Sequence, residues 1–463
     1  MKIAVIGTGY VGLVTGTGLA SLGHTVVCVD VVQERVDRIN RAQPPFFEEG
    51  LEAMLAEQVR AGRLSATTEH REALEGAEAS IIAVGTPMIG EDDRRQDPVY
   101  LVSAAEAIGA YLKTAEHYHV VTVKSTVVPG TTGGIVREAL ERAAGKPVGS
   151  FGLCMNPEFL REGSAVQDFN EPDRIVIGQH DPASGDVLER MYAKFDCPKV
   201  RTGLVNAELI KYASNSLLAT LISFSNQIAA VCESVPEADA AAVLRGVHLD
   251  RRFSPVIDGR RVSPGMLTYL EAGPGYGGSC FPKDVNALRL FASDHGIESA
   301  MLDATVAIND GRTDQMVRLL RAELGELAGK TIAVLGLAFK PGTDDLRESP
   351  GLKLMKALEA EGCATRGVDP LAWREAAGRE GVAGSTHGDV AEAVAEADGA
   401  VIVTSWPQFK TLDWAALAGT MNRPVIFDTR QVLAGVALPA AVRVFGVGQG
   451  NLARQAEAAG VRP

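Results

Sequence analysis

Residues 2–12 read Lys2-Ile3-Ala4-Val5-Ile6-Gly7-Thr8-Gly9-Tyr10-Val11-Gly12, a short apolar run that breaks into a glycine turn. The run predicts a strand, and the small residues of 13–22 predict a helix that Gly23 closes. Residues 25–30 predict a second, β-branched strand ending in an acid. Gly7, Gly9 and Gly12 fit the GxGxxG spacing: a tight turn, close approach to a pyrophosphate, and close helix–strand packing. The pyrophosphate then faces the helix N-terminus, with Tyr10 and Val11 in its first turn. Asp30 stands where a carboxylate accepts both ribose hydroxyls and repels a 2′-phosphate, which favours NAD over NADP. Arg35 lies nearby as a cation able to stack on adenine or to neutralise phosphate. A fold of this type that holds a flavin, or no dinucleotide, is the alternative.

Outward from this unit the grammar repeats. Strand-like runs at 79–84, 120–123 and 174–177 are separated by helical patterns such as 98–112 and 131–144. Strands alternating with helices predict a parallel sheet covered on both faces. From Asn206 to Ser234 there is neither Gly nor Pro, which predicts one long connecting helix; two shorter helices are the alternative. From Lys330 the opening pattern returns: a strand at 331–335, a turn at 336–340, a helix at 349–361, and strands at 364–369, 400–404 and 425–428. The expected fold class is therefore α/β, with two Rossmann-like doubly wound domains joined by a helical middle. The boundaries fall at 1–200, 201–310 and 311–463.

The chain has 463 residues, 46% hydrophobic and 22% charged, with a formal net charge of −13. That composition is globular, and the acidic balance lacks the positive field that non-specific nucleic-acid binding draws on. Cys28, Cys154, Cys197, Cys232, Cys280 and Cys363 are scattered without CxxC pairs, so neither a disulfide framework nor a metal site is expected. No run of 18 uninterrupted apolar residues occurs, and MKIAVIGTGY is a strand rather than a signal peptide. A cytoplasmic protein without membrane or nucleic-acid partners is the expectation.

One cysteine stands apart. Gly275-Tyr276-Gly277-Gly278-Ser279-Cys280-Phe281-Pro282-Lys283-Asp284 crowds glycines before Cys280 and sets a proline, a cation and an acid after it. A thiol reacts as the thiolate, which a cation or a helix N-terminus favours. A helix beginning near Pro282, with 284–291 reading as helical, would supply the second. Packing is the ordinary role of a cysteine, and it suits Cys28 and Cys232 in their apolar patterns.

Further polar clusters follow. Asn156-Pro157-Glu158-Phe159-Leu160-Arg161-Glu162-Gly163 carries two carboxylates four residues apart, which share a face only if the segment is helical. Lys211 and Asn215, at i and i+4, are able to hold an oxyanion. Lys124-Ser125-Thr126-Val127-Val128-Pro129-Gly130 ends a strand at the edge where α/β folds bind ligands. Surface ion pairs and solvated helix faces are the bland alternative for each.

In this order GTGYVG (7–12), VGTP (84–87), KSTVVPG (124–130), NPEFLREG (156–163), KYASN (211–215), GGSCFPKD (277–284), GLAFKPGTDDLRES (336–349) and FDTR (427–430) resemble the UDP-glucose/GDP-mannose dehydrogenase family across nearly the whole chain. The resemblance implies oxidation of a nucleotide-sugar C6 alcohol to a carboxylate with two NAD⁺, through a thiohemiacetal and a thioester on Cys280. It implies that Lys211 and Asn215 stabilise the oxyanion, that Thr126 and Asp284 serve the water, and that Glu158 is the base for thioester hydrolysis. Gly85, Thr86, Thr126, Glu162, Lys283 and Arg347 are implied on the cofactor side. Glu158, Phe159, Leu160, Arg161, Lys211, Asn215, Tyr269, Gly277, Lys340 and Arg430 are implied on the substrate side. The first domain would bind NAD, the middle would form a homodimer, and the last would bind the nucleotide.

The chain departs from the family's pattern between Asp250 and Met266. An arginine that reaches a neighbouring subunit's sugar is expected shortly before the cysteine loop, and here Arg252 and Arg260 both compete for the role. FLREG and TSWPQFKTLDW (404–414) are more similar to UDP-glucose members than to UDP-N-acetylmannosamine ones. UDP-glucose is the favoured substrate; GDP-mannose or another UDP-hexose, and a non-catalytic nucleotide-sugar-binding protein, are the alternatives.

Overall fold

The computed structural model describes residues 1–90, 95–379 and 381–450. The chain divides into two compact units, Met1–Ser214 and Asn215–Pro463.

The first unit is built on eight strands: β1 (Lys2–Ile6), β2 (Thr25–Val29), β3 (Leu64–Thr67), β4 (Ala79–Ile82), β5 (Val120–Val123), β6 (Gly152–Met155), β7 (Ile175–Gln179) and β8 (Lys199–Gly203). They lie in the order β3-β2-β1-β4-β5-β6-β7-β8. Alternation along β1 feeds two cores, Ile3 and Val5 on one face and Ala4 and Ile6 on the other. Such near-continuous apolar strands follow from helices covering both faces. One pairing departs from the expected parallel sheet: β7 runs antiparallel to β6. The chain between them carries only the helix Ala165–Asn170 and returns from the same end of the sheet instead of crossing over.

Leu204–Ser234 is one helix of 31 residues, and the boundary between the units falls inside it. By length and hydropathy it would reach across a bilayer. Several of its buried polar side chains are, however, bonded to protein: Glu208 to backbone N–H groups, Lys211 to a carboxylate, Ser223 to Thr305. It is a core helix on those contacts.

In the second unit the segment before the cysteine loop folds as a hairpin, β9 (Val256–Ile257) against β10 (Arg260–Arg261). Its turn, Asp258-Gly259, has φ of 49° and 73°, the left-handed pair that a two-residue hairpin requires. Helices Phe281–Asp294, Ala300–Asp310 and Arg312–Leu324 follow. The second sheet comprises β11 (Thr331–Leu335), β12 (Ala364–Val368), β13 (Ser385–His387), β14 (Gly399–Ile402), β15 (Val425–Asp428) and β16 (Arg443–Gly446). All its pairings are parallel, in the order β13-β12-β11-β14-β15-β16, the doubly wound order of dinucleotide folds.

Candidate active site

The glycine turn sits between β1 and the helix Tyr10–Ser21. Gly7 has φ of 99°, and a Cβ on Gly12 would lie 2.0 Å from the Gly7 carbonyl oxygen, so helix and strand meet at a distance only glycine permits. Gly9, by contrast, has open space where a Cβ would be, at the start of the helix. That combination of closed packing behind and an open helix N-terminus in front fits a pyrophosphate. Asp30, at the end of β2, accepts from the Thr8 N–H (3.1 Å), the Thr8 hydroxyl (2.5 Å) and the Val32 N–H (3.0 Å). Burial pushes its carboxyl up, but these donors and Arg35 at 3.6 Å outweigh it and hold the group below its usual range. An ionised carboxylate oriented by three donors fits a ribose diol, and the residues present therefore fit NAD.

Tyr10 reveals a residue the sequence reading passed over. Its hydroxyl donates to Glu48, and the same buried carboxylate accepts from the N–H groups of Gly163 (2.7 Å) and Ala165 (2.7 Å). Glu48 thus ties the glycine-turn helix to the FLREG loop. No local motif marks it, because its partners are distant in sequence.

At the carboxyl ends of β4 and β5, the Thr86 hydroxyl and the Gln96 amide both donate to the Thr126 carbonyl. Gln96 also donates to the Tyr212 hydroxyl at 2.9 Å. Gly85 has open space around its Cβ position.

Residues 156–160 form no helix, so Glu158 and Glu162 share no helical face and go to different surroundings. Glu162 lies near Tyr10 and helps raise the phenol's pKa, behind burial and Glu48. Glu158 is 6% exposed and accepts from the Lys211 ammonium (2.8 Å) and the Leu160 N–H (2.6 Å). Burial opposes its ionisation, yet Lys211, the Leu160 N–H and the charge of Lys124 together hold it below the usual carboxylate range. Phe159 is flanked by the Arg174 guanidinium, 3.9 Å from its ring centroid, and by Lys211 at 5.5 Å. Arg161 is mostly exposed and pairs with Asp168.

Cys280 caps the helix Phe281–Asp294, ahead of Pro282, so its thiol stands at a helix N-terminus. The helix begins beside Pro282, as expected, because a proline suits its first turn. Asp284 is fully buried and accepts from the Asn215 amide (2.6 Å) and the Lys283 ammonium (2.6 Å). The charge of Lys283 therefore goes to Asp284. The glycine loop is held on several sides: Asn226 accepts from the Gly273 N–H, Arg312 donates to the Gly273 carbonyl, and Asn309 brackets Tyr276. A Cβ on Gly277 would lie 2.3 Å from the Glu348 carbonyl oxygen. Tyr269 packs 6.2 Å from Phe281 between ring centroids.

Lys340 stands over the Phe339 ring, and Arg347 makes a two-point contact with Asp345. Arg430 donates to the Val403 carbonyl and, at 3.4 Å, to the Gly275 carbonyl; burial lowers its pKa to about 10. Of the competing arginines, Arg252 is bound to Asp250; Arg261, next to the other candidate, anchors the hairpin to Leu249 and Ser254. The Arg260 side chain has no such partner among the described residues and is exposed on the hairpin. Asp369, which ends β12 as Asp30 ends β2, accepts five N–H groups, from Leu337, Ala338, Leu371, Ala372 and the Trp406 indole. It is fully buried, with nothing left for a ribose.

A doubly wound fold with an open glycine turn and an oriented carboxylate, followed by a cysteine at a helix N-terminus, defines an α/β oxidoreductase of the dinucleotide-dependent class. The chain belongs to the UDP-glucose/GDP-mannose dehydrogenase family. Residues 1–196 match its NAD binding domain, 205–311 its central domain and 333–435 its UDP binding domain. The UDP-glucose 6-dehydrogenase of Rhizobium meliloti is 41% identical over 93% of this chain and 95% of its own length. AglM of Haloferax volcanii, a UDP-glucose 6-dehydrogenase, is 40% identical over 94% and 97%. A UDP-glucose dehydrogenase structure from Pyrobaculum islandicum aligns with a TM-score of 0.86 at 38% identity, over 96% and 97% of the two chains.

Proposed function

We propose that the protein oxidises UDP-glucose to UDP-glucuronate with two equivalents of NAD⁺, and that Cys280 carries the intermediate. The observation that carries the substrate is the likeness to UDP-glucose 6-dehydrogenases at 36–41% identity over nearly the full chain. Identity is lower, 27%, to a UDP-D-ManNAc dehydrogenase structure from Pyrococcus horikoshii. The glycine turn and Asp30 would hold NAD⁺, which would supply the hydride acceptor for both oxidations.

The chain's own residues account for the rest. Lys211 and Asn215 stabilise the alkoxide as the C6 alcohol loses its proton and hydride. The Cys280 sulfur adds to the aldehyde carbon, and its proton passes to the carbonyl oxygen, giving a thiohemiacetal. Loss of a second hydride and a proton leaves a thioester, and covalent attachment keeps the carbon in place between the two oxidations. Water, oriented by Thr126 and Asp284 and deprotonated by Glu158, adds to the thioester; the carbon–sulfur bond breaks and the thiolate regains a proton. The balance is one alcohol, two NAD⁺ and one water giving one carboxylate, two NADH and three protons. Lys340 and Arg430 contact the nucleotide, and Arg260, the arginine left unengaged on the hairpin, takes the sugar contact in preference to Arg252.

Leu217, Phe224 and Val231 recur every seven residues on the long helix, each about half exposed, and no charged residue lies between Lys211 and Glu233. This apolar face supports a homodimer formed by a second copy of the same helix. A cytoplasmic setting, which keeps Cys280 reduced, suits the chemistry.

The test is NADH formation with a panel of nucleotide sugars. UDP-glucose is expected to yield two NADH per sugar. No turnover with any sugar overturns the enzyme reading, and preference for GDP-mannose overturns the substrate. Cys280→Ser is expected to abolish uronate formation; full uronate production by that variant rejects the nucleophile.

A further inference from the structure

Lys124 lies at the end of β5, 6% exposed, and no step above uses it. Its ammonium donates to the Asn156 side-chain oxygen at 3.0 Å and reaches the Asn156 carbonyl at 3.4 Å. Asn156 is itself fixed: its oxygen also accepts from the Tyr192 hydroxyl at 2.7 Å, and its amide donates to the Val176 carbonyl at 2.8 Å. Lys124 is therefore a charge that cannot swing away. The charges acting on it are Glu158, which favours its ionisation, and Lys211, which opposes it. Tyr192 is the other titratable group at this point, reached through Asn156, and burial holds it neutral. Two ammonium groups and one carboxylate are thus buried within electrostatic reach of one another.

That excess of positive charge has a use in the reaction proposed above, on which this inference rests. In the structure Lys211 is bonded to Glu158. When the substrate's oxyanion draws on Lys211, Glu158 loses part of its counter-charge while still buried. A buried carboxylate without a cation takes up a proton and ceases to be a base. We propose that Lys124 is a positioning residue for Glu158, a second fixed cation that keeps the carboxylate ionised while Lys211 serves the substrate. Burial brings the pKa of Lys124 itself down to about 8, with Glu158 opposing the shift and Lys211 adding a smaller push in the same direction.

The experiment is the pH dependence of kcat for uronate formation from UDP-glucose, in the full-length protein and in Lys124→Met. The variant is expected to lose roughly 10–100-fold in kcat with little change in KM, and its acid limb is expected to move up by about one pH unit. Its Tm is expected to stay within a few degrees of the parent, because an excess buried charge has been removed. Lys124→Arg, which keeps the charge, is expected to return the acid limb toward the parent's position. Asn156→Asp gives an independent route: a carboxylate there claims the Lys124 charge and is expected to raise the acid limb in the same way. An acid limb unmoved in Lys124→Met overturns the proposal, whatever happens to kcat or Tm. If Lys124→Met does not fold, an unmoved limb in Asn156→Asp overturns it. A parent protein with no turnover on any nucleotide sugar rejects the function instead.

Discussion

The Lys211 ammonium and the Glu158 carboxylate meet at 2.8 Å with side chains only 4% and 6% exposed, so neither charge has water to fall back on. Removing one partner strands the other. Lys211→Met is expected to destabilise the protein by about 3 kcal/mol, the low end for a broken buried pair because Lys124 remains. Uronate formation is expected to fall by roughly 10²–10³-fold. Urea unfolding and NADH kinetics on the same samples check both numbers.

The role proposed for Asp30 is the choice of dinucleotide. Asp30→Asn keeps much of the hydrogen-bonding geometry around Thr8 and Val32 but removes the charge. The ratio of kcat/KM for NAD⁺ to that for NADP⁺ is expected to fall roughly tenfold, with most of the change in KM for NAD⁺. An unchanged ratio contradicts the ribose assignment.

His119 makes stability pH-dependent. It is fully buried, with Nδ1 at 2.7 Å from the Ala77 carbonyl and Nε2 at 2.9 Å from the Ser80 hydroxyl. Burial, reinforced by His117, brings its pKa down to about 4. The folded state prefers the neutral ring, so the unfolded chain binds more protons as pH falls from about 6.5 to 4. The ring's contribution is complete above pH 7 and is lost through that window, at most about 3 kcal/mol. His119→Gln is expected to flatten the fall in unfolding free energy between pH 7 and pH 4.5, measured by urea titration.

Phe224 is half exposed in the middle of the apolar face of the long helix. Phe224→Glu is expected to convert the proposed dimer to monomer in light scattering while leaving the far-ultraviolet circular dichroism unchanged. A parent protein that is already monomeric rules the interface out.

The strands around the glycine turn were legible because a parallel sheet demands continuous apolar runs, and 331–335 betrayed the second sheet for the same reason. The long helix was legible from the absence of breakers. The hairpin at 256–261 carried its own sign in Asp258-Gly259, a turn pair that went unread inside an unexpectedly long segment. The direction of β7 was not legible, since an apolar run carries no sense of direction. Within the site, single residues such as Cys280 stood out by local pattern. Glu48 and Glu208 did not, because their importance comes from backbone groups far along the chain that they bind.

Asp369 changes how the second sheet should be engineered. Its loop, residues 337–349, is inserted where the first sheet passes almost directly from turn to helix. Restoring a short glycine fingerprint there would not install a second dinucleotide site, since the carboxylate that would greet a ribose is already the knot holding that loop closed. Any new ligand specificity in this half has to be written into the loop's side chains, with the knot left tied.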